Sequence, residues 1–122
     1  MSEVKSYRDL LVWQKGMALA AMTYKLTKAM PRDERYRLID QMLRSAASVP
    51  ANIAEGHLRG SRKDYARFVM IARGSLGELE THLILASEVG VLPAEATTEP
   101  LALAAELGRM LNGLRRRLDE QP

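Results

Sequence analysis

Four bases crowd into positions 59–67: Arg59, Arg62, Lys63 and Arg67. In a helix, positions 59, 63 and 67 line up at four-residue spacing. Upstream, Arg37 and Arg44 stand one heptad apart, and Arg115, Arg116 and Arg117 lie near the end of the sequence. Guanidinium clusters suit phosphates, because the planar fork can engage two oxygens at once. Clustered bases are the electrostatic footprint of nucleic-acid binding. A solvated helix face accounts for the same residues. Bases at a helix C-terminus complement its dipole, as Arg115–Arg117 would, and others pair with acids one turn away, as Arg37 would with Asp40. Charge is segregated along the chain: residues 74–108 carry six acids and no Lys or Arg, against an overall net charge of +3. That net charge is modest for a dedicated nucleic-acid binder, but an oligomer can gather one patch on one face and raise its local field.

Other chemistry finds less to work with. The chain has no cysteine and two histidines, which removes thiolate metal sites, disulfides and Cys nucleophiles together. Di-iron bundles need paired Glu and Glu-x-x-His motifs on facing helices. Glu55-Gly56-His57 has the wrong spacing, and Glu78 with His82 has no second copy. Ser45, Ser48, Ser61 and Ser75 have no histidine near them in sequence, which leaves only distant pairing for a hydrolase. Neither a nucleophile elbow nor a phosphate-cradling glycine loop is present. The expectation is a protein that is not an enzyme, with no cofactor and no metal.

The elements that carry these residues are helical. With hydrophobic residues at 47% and aromatics at 5%, a core is affordable but a β-sandwich or barrel is unexpected. Apolar periodicity predicts four helices over about 9–30, 33–57, 61–89 and 101–118 in a single domain spanning 1–122. The fold class expected is all-α, an antiparallel up-down-up-down four-helix bundle. The predicted core stripes are Leu10, Trp13, Met17, Ala20, Tyr24 and Thr27 on the first helix, and Ile39, Met42, Leu43, Ala46, Ile53 and His57 on the second. Tyr65, Phe68, Ala72, Leu76, Leu79, Leu83 and Ala86 follow on the third, and Ala104, Leu107, Leu111, Leu114 and Leu118 on the fourth. Pro31 should stop the first helix, Pro50 should kink or break the second, Ser61 with Asp64 should cap the third, and Gly90 should end it. Residues 91–100, with Pro93, Thr97, Thr98 and Pro100, read as a connector.

A second apolar stripe on the first helix, Val12, Leu19, Met22, Leu26 and Met30, and a small-residue face on the third, Met70, Gly74 and Gly77, exceed what one bundle needs. They predict association between copies, with a wide core stripe inside one bundle as the alternative. No apolar run is long enough to cross a membrane, and charges interrupt any leader-like stretch at the start; a cytoplasmic protein is expected.

Taken together, four stretches resemble one family. These are Tyr7-Arg8-Asp9-Leu10-Leu11-Val12-Trp13-Gln14-Lys15; Ser48-Val49-Pro50-Ala51-Asn52-Ile53-Ala54-Glu55-Gly56 with Arg59 and Ser61; Ala72-Arg73-Gly74-Ser75-Leu76-Gly77-Glu78-Leu79-Glu80-Thr81; and Arg109-Met110-Leu111-Asn112-Gly113-Leu114. Their order and spacing over residues 6–118 resemble the 23S rRNA intervening-sequence protein family, also called S23-type. The resemblance implies a four-helix bundle, a bacterial cytoplasmic setting and a ring-like homopentamer. The family is similar in fold to the accessory variability proteins of diversity-generating retroelements, which are pentameric and basic and bind nucleic acid and a reverse transcriptase. Trp13, Pro50, Asn52, Glu55, Gly56, Gly74 and Glu78 are then expected to maintain bundle and ring. Asn52 would help satisfy backbone freed by Pro50. Glu55 would pair with Arg59, Gly56 would permit close approach or a reversal, and Glu78 and Glu80 would meet Arg44 or Arg73. Two functions remain open. One is an oligomeric helical protein binding RNA or DNA through Arg59, Arg62, Lys63 and Arg67, with Arg37 and Arg44. The other is a structural or adaptor module for a protein partner, such as a reverse transcriptase, with no nucleic-acid affinity.

Overall fold

The computed structural model describes residues 4–120, apart from the side chains of residues 35 and 36, and within them it is all-helical, with no strand. Four α-helices dominate: α1 (Leu11–Thr27), α2 (Asp40–Leu58), α3 (Arg62–Glu88) and α4 (Ala94–Glu120). Each packs on its neighbours in sequence, and α1 closes the ring onto α4. Short connections make successive helices antiparallel, so α1 lies diagonal to α3. One pole of the bundle therefore holds the start of α1, the end of α2, the start of α3 and the end of α4.

The helix ends follow local chemistry. Ser6 Oγ accepts from the Arg8 N–H (3.0 Å), and Asp9 Oδ2 accepts in return from the Ser6 N–H (3.1 Å) and the Lys5 N–H (2.8 Å). This reciprocal cap sets a short 3-10 turn, Tyr7–Asp9, ahead of α1. Trp13 is half-buried and meets the Tyr7 ring edge-on at 5.4 Å, tying that turn to the helix. The first helix stops at Thr27, short of the expected Met30. The Ala29 and Met30 N–H groups donate back only three residues, to Leu26 and Thr27, so the chain tightens before Pro31. Between Pro31 and α2 lie a 3-10 turn (Arg32–Glu34) and a π turn (Arg35–Ile39) where a continuous helix from 33 was expected. Ser61 Oγ accepts from the Asp64 N–H (3.1 Å), capping α3 as expected. Gly90 takes the left-handed conformation (φ 77°) that ends α3, and the Val91 N–H donates to the Ala86 carbonyl (2.9 Å).

Both internal prolines correct the sequence reading. Helix α2 runs unbroken through Pro50, although proline has no N–H to give Ala46. Its ring is buried against α1 at Gly16, where a Cβ would touch the Pro50 Cβ at 3.5 Å. Tight helix-on-helix contact there offsets the missing hydrogen bond. Helix α4 begins at Ala94, seven residues before the expected 101, and carries Pro100 inside it. Thr97 and Thr98 do not mark a loop. Their hydroxyls donate to the Ala94 carbonyl, at 2.8 and 3.5 Å, and Thr97 is buried.

Helix α1 turns a different face inward from the one expected. Val12, Gly16, Leu19, Ala20, Thr23 and Thr27 are buried, while Met17 and Tyr24 are about half exposed (45% and 51%). Much of the stripe read as surplus is thus core. Two threonines complete it, because their hydroxyls are satisfied within the helix: Thr23 Oγ donates to the Leu19 carbonyl and Thr27 Oγ to the Tyr24 carbonyl, both at 2.9 Å. On α3 the expected Phe68, Ala72, Leu76, Leu79, Leu83 and Ala86 are all buried, joined by Val69. On α2 the core is Met42, Ala46, Val49 and Ile53, and on α4 it is Ala104, Leu107, Leu111 and Leu118. Ile39, Leu43, His57, Tyr65 and Leu114 are only partly buried.

Candidate nucleic-acid interface

The α2–α3 turn places Arg59 at the end of one helix and Arg62, Lys63 and Arg67 in the first two turns of the next. Gly60 makes the reversal possible with φ 85°. Gly56 makes the close approach. A Cβ on it would sit 2.6 Å from the Phe68 Cβ and 3.3 Å from the Tyr65 carbonyl oxygen, so α2 and α3 can meet this closely only at a glycine. The Phe68 ring, itself buried, becomes a shared platform. The Arg59 guanidinium carbon lies 4.9 Å from its centroid and that of Arg67 4.4 Å. Each arginine is also held by a carboxylate of its own helix, Arg59 Nε by Glu55 (2.9 Å) and Arg67 Nε by Asp64 (3.8 Å). The Glu55–Arg59 pair is the one expected.

Topology then adds a second basic segment. Helix α4 ends at this same pole, and one Arg62 terminal nitrogen donates to the Arg117 carbonyl oxygen (3.0 Å). Arg115–Arg117 therefore stand beside the 59–67 cluster. Among the described residues, Lys63, Arg116 and Arg117 have no carboxylate within 4 Å, whereas Arg115 pairs with Asp119 (2.9 Å). Arg37 and Arg44 lie elsewhere. Arg44 is about 22 Å from Arg59 along α2, at ~1.5 Å per residue, and Arg37 precedes it toward the far pole. Asp40 pairs with Arg44 (3.2 Å) rather than with Arg37.

The remaining motif residues meet at the α2–α3 and α3–α4 seams. Asn52 Nδ2 donates to the Ser48 carbonyl (2.8 Å) and to Ser48 Oγ (2.9 Å), and Ser48 Oγ shares a hydrogen with Ser75 Oγ (2.8 Å). Asn52 thus serves the carbonyl of Ser48 and not that of Ala46, the one Pro50 frees. Glu80 meets Arg73 within α3 (3.8 Å), and Glu78 lines a polar groove with Arg44 and His82. Gly74 is exposed, and nothing lies within 4 Å of where its Cβ would be. His82 Nδ1 comes to 3.5 Å of Ser45 Oγ, but that hydroxyl already faces the Gln41 and Met42 carbonyls (3.0 and 3.1 Å). Its proton is engaged by backbone, so the pair does not form an activated nucleophile. Among the described residues no three His, Cys, Asp or Glu side chains gather as a metal site, and no helix is long and apolar enough to cross a membrane.

Sequence spacing groups the 59–67 cluster and leaves Arg115–Arg117 apart from it. The signal that joins them was available, since an up-down-up-down bundle puts the end of its fourth helix beside the start of its third. Phe68 as a platform was not legible, because its stripe position marks it only as core.

Comparison with known proteins agrees with this architecture. The family model described as 23S rRNA-intervening sequence protein matches residues 8–113. A crystal structure of a protein with unknown function from the S23 ribosomal protein family of Bacteroides thetaiotaomicron is similar in fold, with a TM-score of 0.80 and 24% identity; the likeness covers 86% of this chain and 98% of that one. No curated protein matches.

Proposed function

The chain belongs to the 23S rRNA-intervening sequence protein family, and from that premise we propose that it is a non-enzymatic, self-associating helical protein that binds RNA or DNA through the basic pole of the bundle. The observation that carries this reading is the convergence of Arg59, Arg62, Lys63 and Arg67 with Arg115–Arg117 at one end. Lys63, Arg116 and Arg117, without acidic partners among the described residues, are the bases freest to neutralise phosphates. Arg59 and Arg67, laid over Phe68, add orientation. The bundle is the scaffold, and Arg37 and Arg44 play no part at this pole.

Self-association rests on two exposed faces. Met17 and Tyr24 form one on α1; Ile71, Leu85 and the open Gly74 form the other on α3. The two faces lie on diagonal helices and are different surfaces. Docking one onto the other in the next copy is a heterologous contact, which gives a ring where its rotation closes and a filament where it does not. The homopentamer implied by the family resemblance is the closed case, and such a ring would bring several basic poles together.

Binding to a structured RNA and to a generic duplex across a salt series tests the central claim. Affinity should fall linearly in log–log form, by a slope of about 0.9 per phosphate contacted on duplex DNA. Reversing Arg62, Lys63 and Arg67 to Glu should abolish binding with helicity unchanged. No binding at low salt would remove the reading and leave the adaptor role.

A further inference from the structure

We propose that the furrow between α1 and α4 docks on the same furrow of a second, antiparallel copy, so that the basic hollow at one end of each faces the acidic hollow at the far end of the other. The inference is independent of the polyanion reading, and its surface is distinct from the Met17–Tyr24 and Ile71–Leu85 faces. The furrow holds two hollows. One, of about 320 Å³, lies between the start of α1 and the end of α4. The other, of about 470 Å³, lies between the end of α1 and the start of α4. Between them Lys15 Nζ meets Glu106 Oε1 (3.2 Å), so the middle of the furrow is neutral.

The two hollows share an apolar floor and carry opposite charge. Leu11 and Met110 line the first, and Leu11 is left 57% exposed at its rim. Its charged residues are Arg109 and Arg117, with no acid beside them. Met22 and Leu26 line the second, with Glu95 and Glu99 against a single base, Lys25. Among the described residues none of these two arginines and two glutamates has an opposite charge within 4 Å. One surface thus bears a cationic socket and an anionic socket, each lacking the charge that the other offers. A second copy supplies both at once.

The spacing along α4 sets the arrangement. Arg109 stands about 15 Å from Glu99, at ~1.5 Å per residue. A two-fold axis crossing the furrow level with Glu106 reverses one copy against the other. It brings Glu99 opposite Arg109 of the second copy and Glu95 toward Arg117 of the second copy, and it repeats both contacts at the other end, as an isologous interface must. The same axis lays Met22 over Leu11 of the second copy, taking an exposed leucine out of water. A parallel pairing would set Arg109 on Arg109 and Glu99 on Glu99, and like charges so placed repel. Ala18 and Ala102 are small and exposed at mid-length, which lets the furrows close on one another. Exposed ion pairs contribute about 0–1 kcal/mol each, so the pair is weaker than the contact between the α1 and α3 faces, and a covalent trap is the way to see it.

The chain has no cysteine, which makes disulfide trapping clean. Glu99→Cys and Arg109→Cys are made as separate proteins; both positions are exposed, so the core is untouched. Mixed in equal amounts under mild oxidation, they should give several times more disulfide-linked dimer than either protein alone. In the mixed pair one Glu99–Arg109 contact becomes the disulfide and its symmetry mate stays intact. Identical positions lie too far apart to be bridged, since a disulfide needs Cα atoms within ~7 Å. Subunits joined side by side in a ring hold these positions at different levels and give no such excess. At about 1 M salt, where screening shortens to ~3 Å, the excess should fall several-fold. Equal dimer yield in the mixture and in the separate proteins would overturn the pairing and leave the furrow to another occupant. A larger yield from either protein alone would overturn it in favour of a parallel arrangement.

Discussion

A methyl group at position 56 has no room. The 2.6 Å gap to the Phe68 Cβ and the 3.3 Å gap to a backbone oxygen are both closer than packed atoms allow. Neither neighbour is the flexible end of a side chain. Gly56→Ala should therefore lower stability by about 1–3 kcal/mol, the usual range for overpacking, as read from urea denaturation. It should also disturb the Arg59–Phe68–Arg67 stack, which the same approach creates. Gly74 is the opposite case. With open space around it, Gly74→Ala should stabilise a lone subunit by about 0.5–1 kcal/mol through helix propensity alone. The paired carboxylates add little here. Glu55, Asp64 and Asp119 are largely exposed, and such pairs contribute about 0–1 kcal/mol.

Among the helices, α3 is the one whose boundaries and inward face were legible. Its apolar residues are large, its N-cap is a serine with an acid three residues on, and its end is a left-handed glycine. Ser61→Ala should cost about 0.5–2 kcal/mol, measurable as a lower denaturation midpoint. Helix α1 departs from its large-apolar pattern because small and polar residues share its inward face. Its core-facing row includes Gly16, Thr23 and Thr27, which fit against neighbouring helices because they are compact and internally hydrogen-bonded. Nothing in the α1 pattern alone says that Met17 and Tyr24 face outward. Helix α4 starts earlier than its sequence suggests, because Pro93, Thr97, Thr98 and Pro100 read as punctuation although the last three lie within the helix. In a packed bundle a proline ring can occupy a buried helix position, as Pro50 does against Gly16, when a neighbouring helix supplies the contacts that the lost hydrogen bond forfeits.

At the scale of the molecule, the sequence was legible for the bundle, because four periodic segments with short connectors leave few other packings. The candidate site was legible in its first half, the 59–67 cluster. Its second half depends on which helix ends share a pole. Assembly is tested directly by light scattering, which should give a mass several times the 13.6 kDa of one chain. Gly74→Leu should return that mass to a single subunit if α3 presents its open face to a neighbour. A wild-type mass of 13.6 kDa at micromolar concentration would sink the ring.

The glutamate-rich stretch noted in the sequence has its own consequence in three dimensions. Glu88 ends α3 and Glu95 and Glu99 lie in the first turns of α4, a full helix length from the 59–67 cluster, and Lys25 of α1 lines the same hollow as Glu95 and Glu99. On the reading proposed above, a polyanion would find uncompensated positive charge at the pole of Lys63, Arg116 and Arg117, while the opposite pole mixes acids with bases. A subunit of that kind would grip one strand by one end and would have no second grip for another.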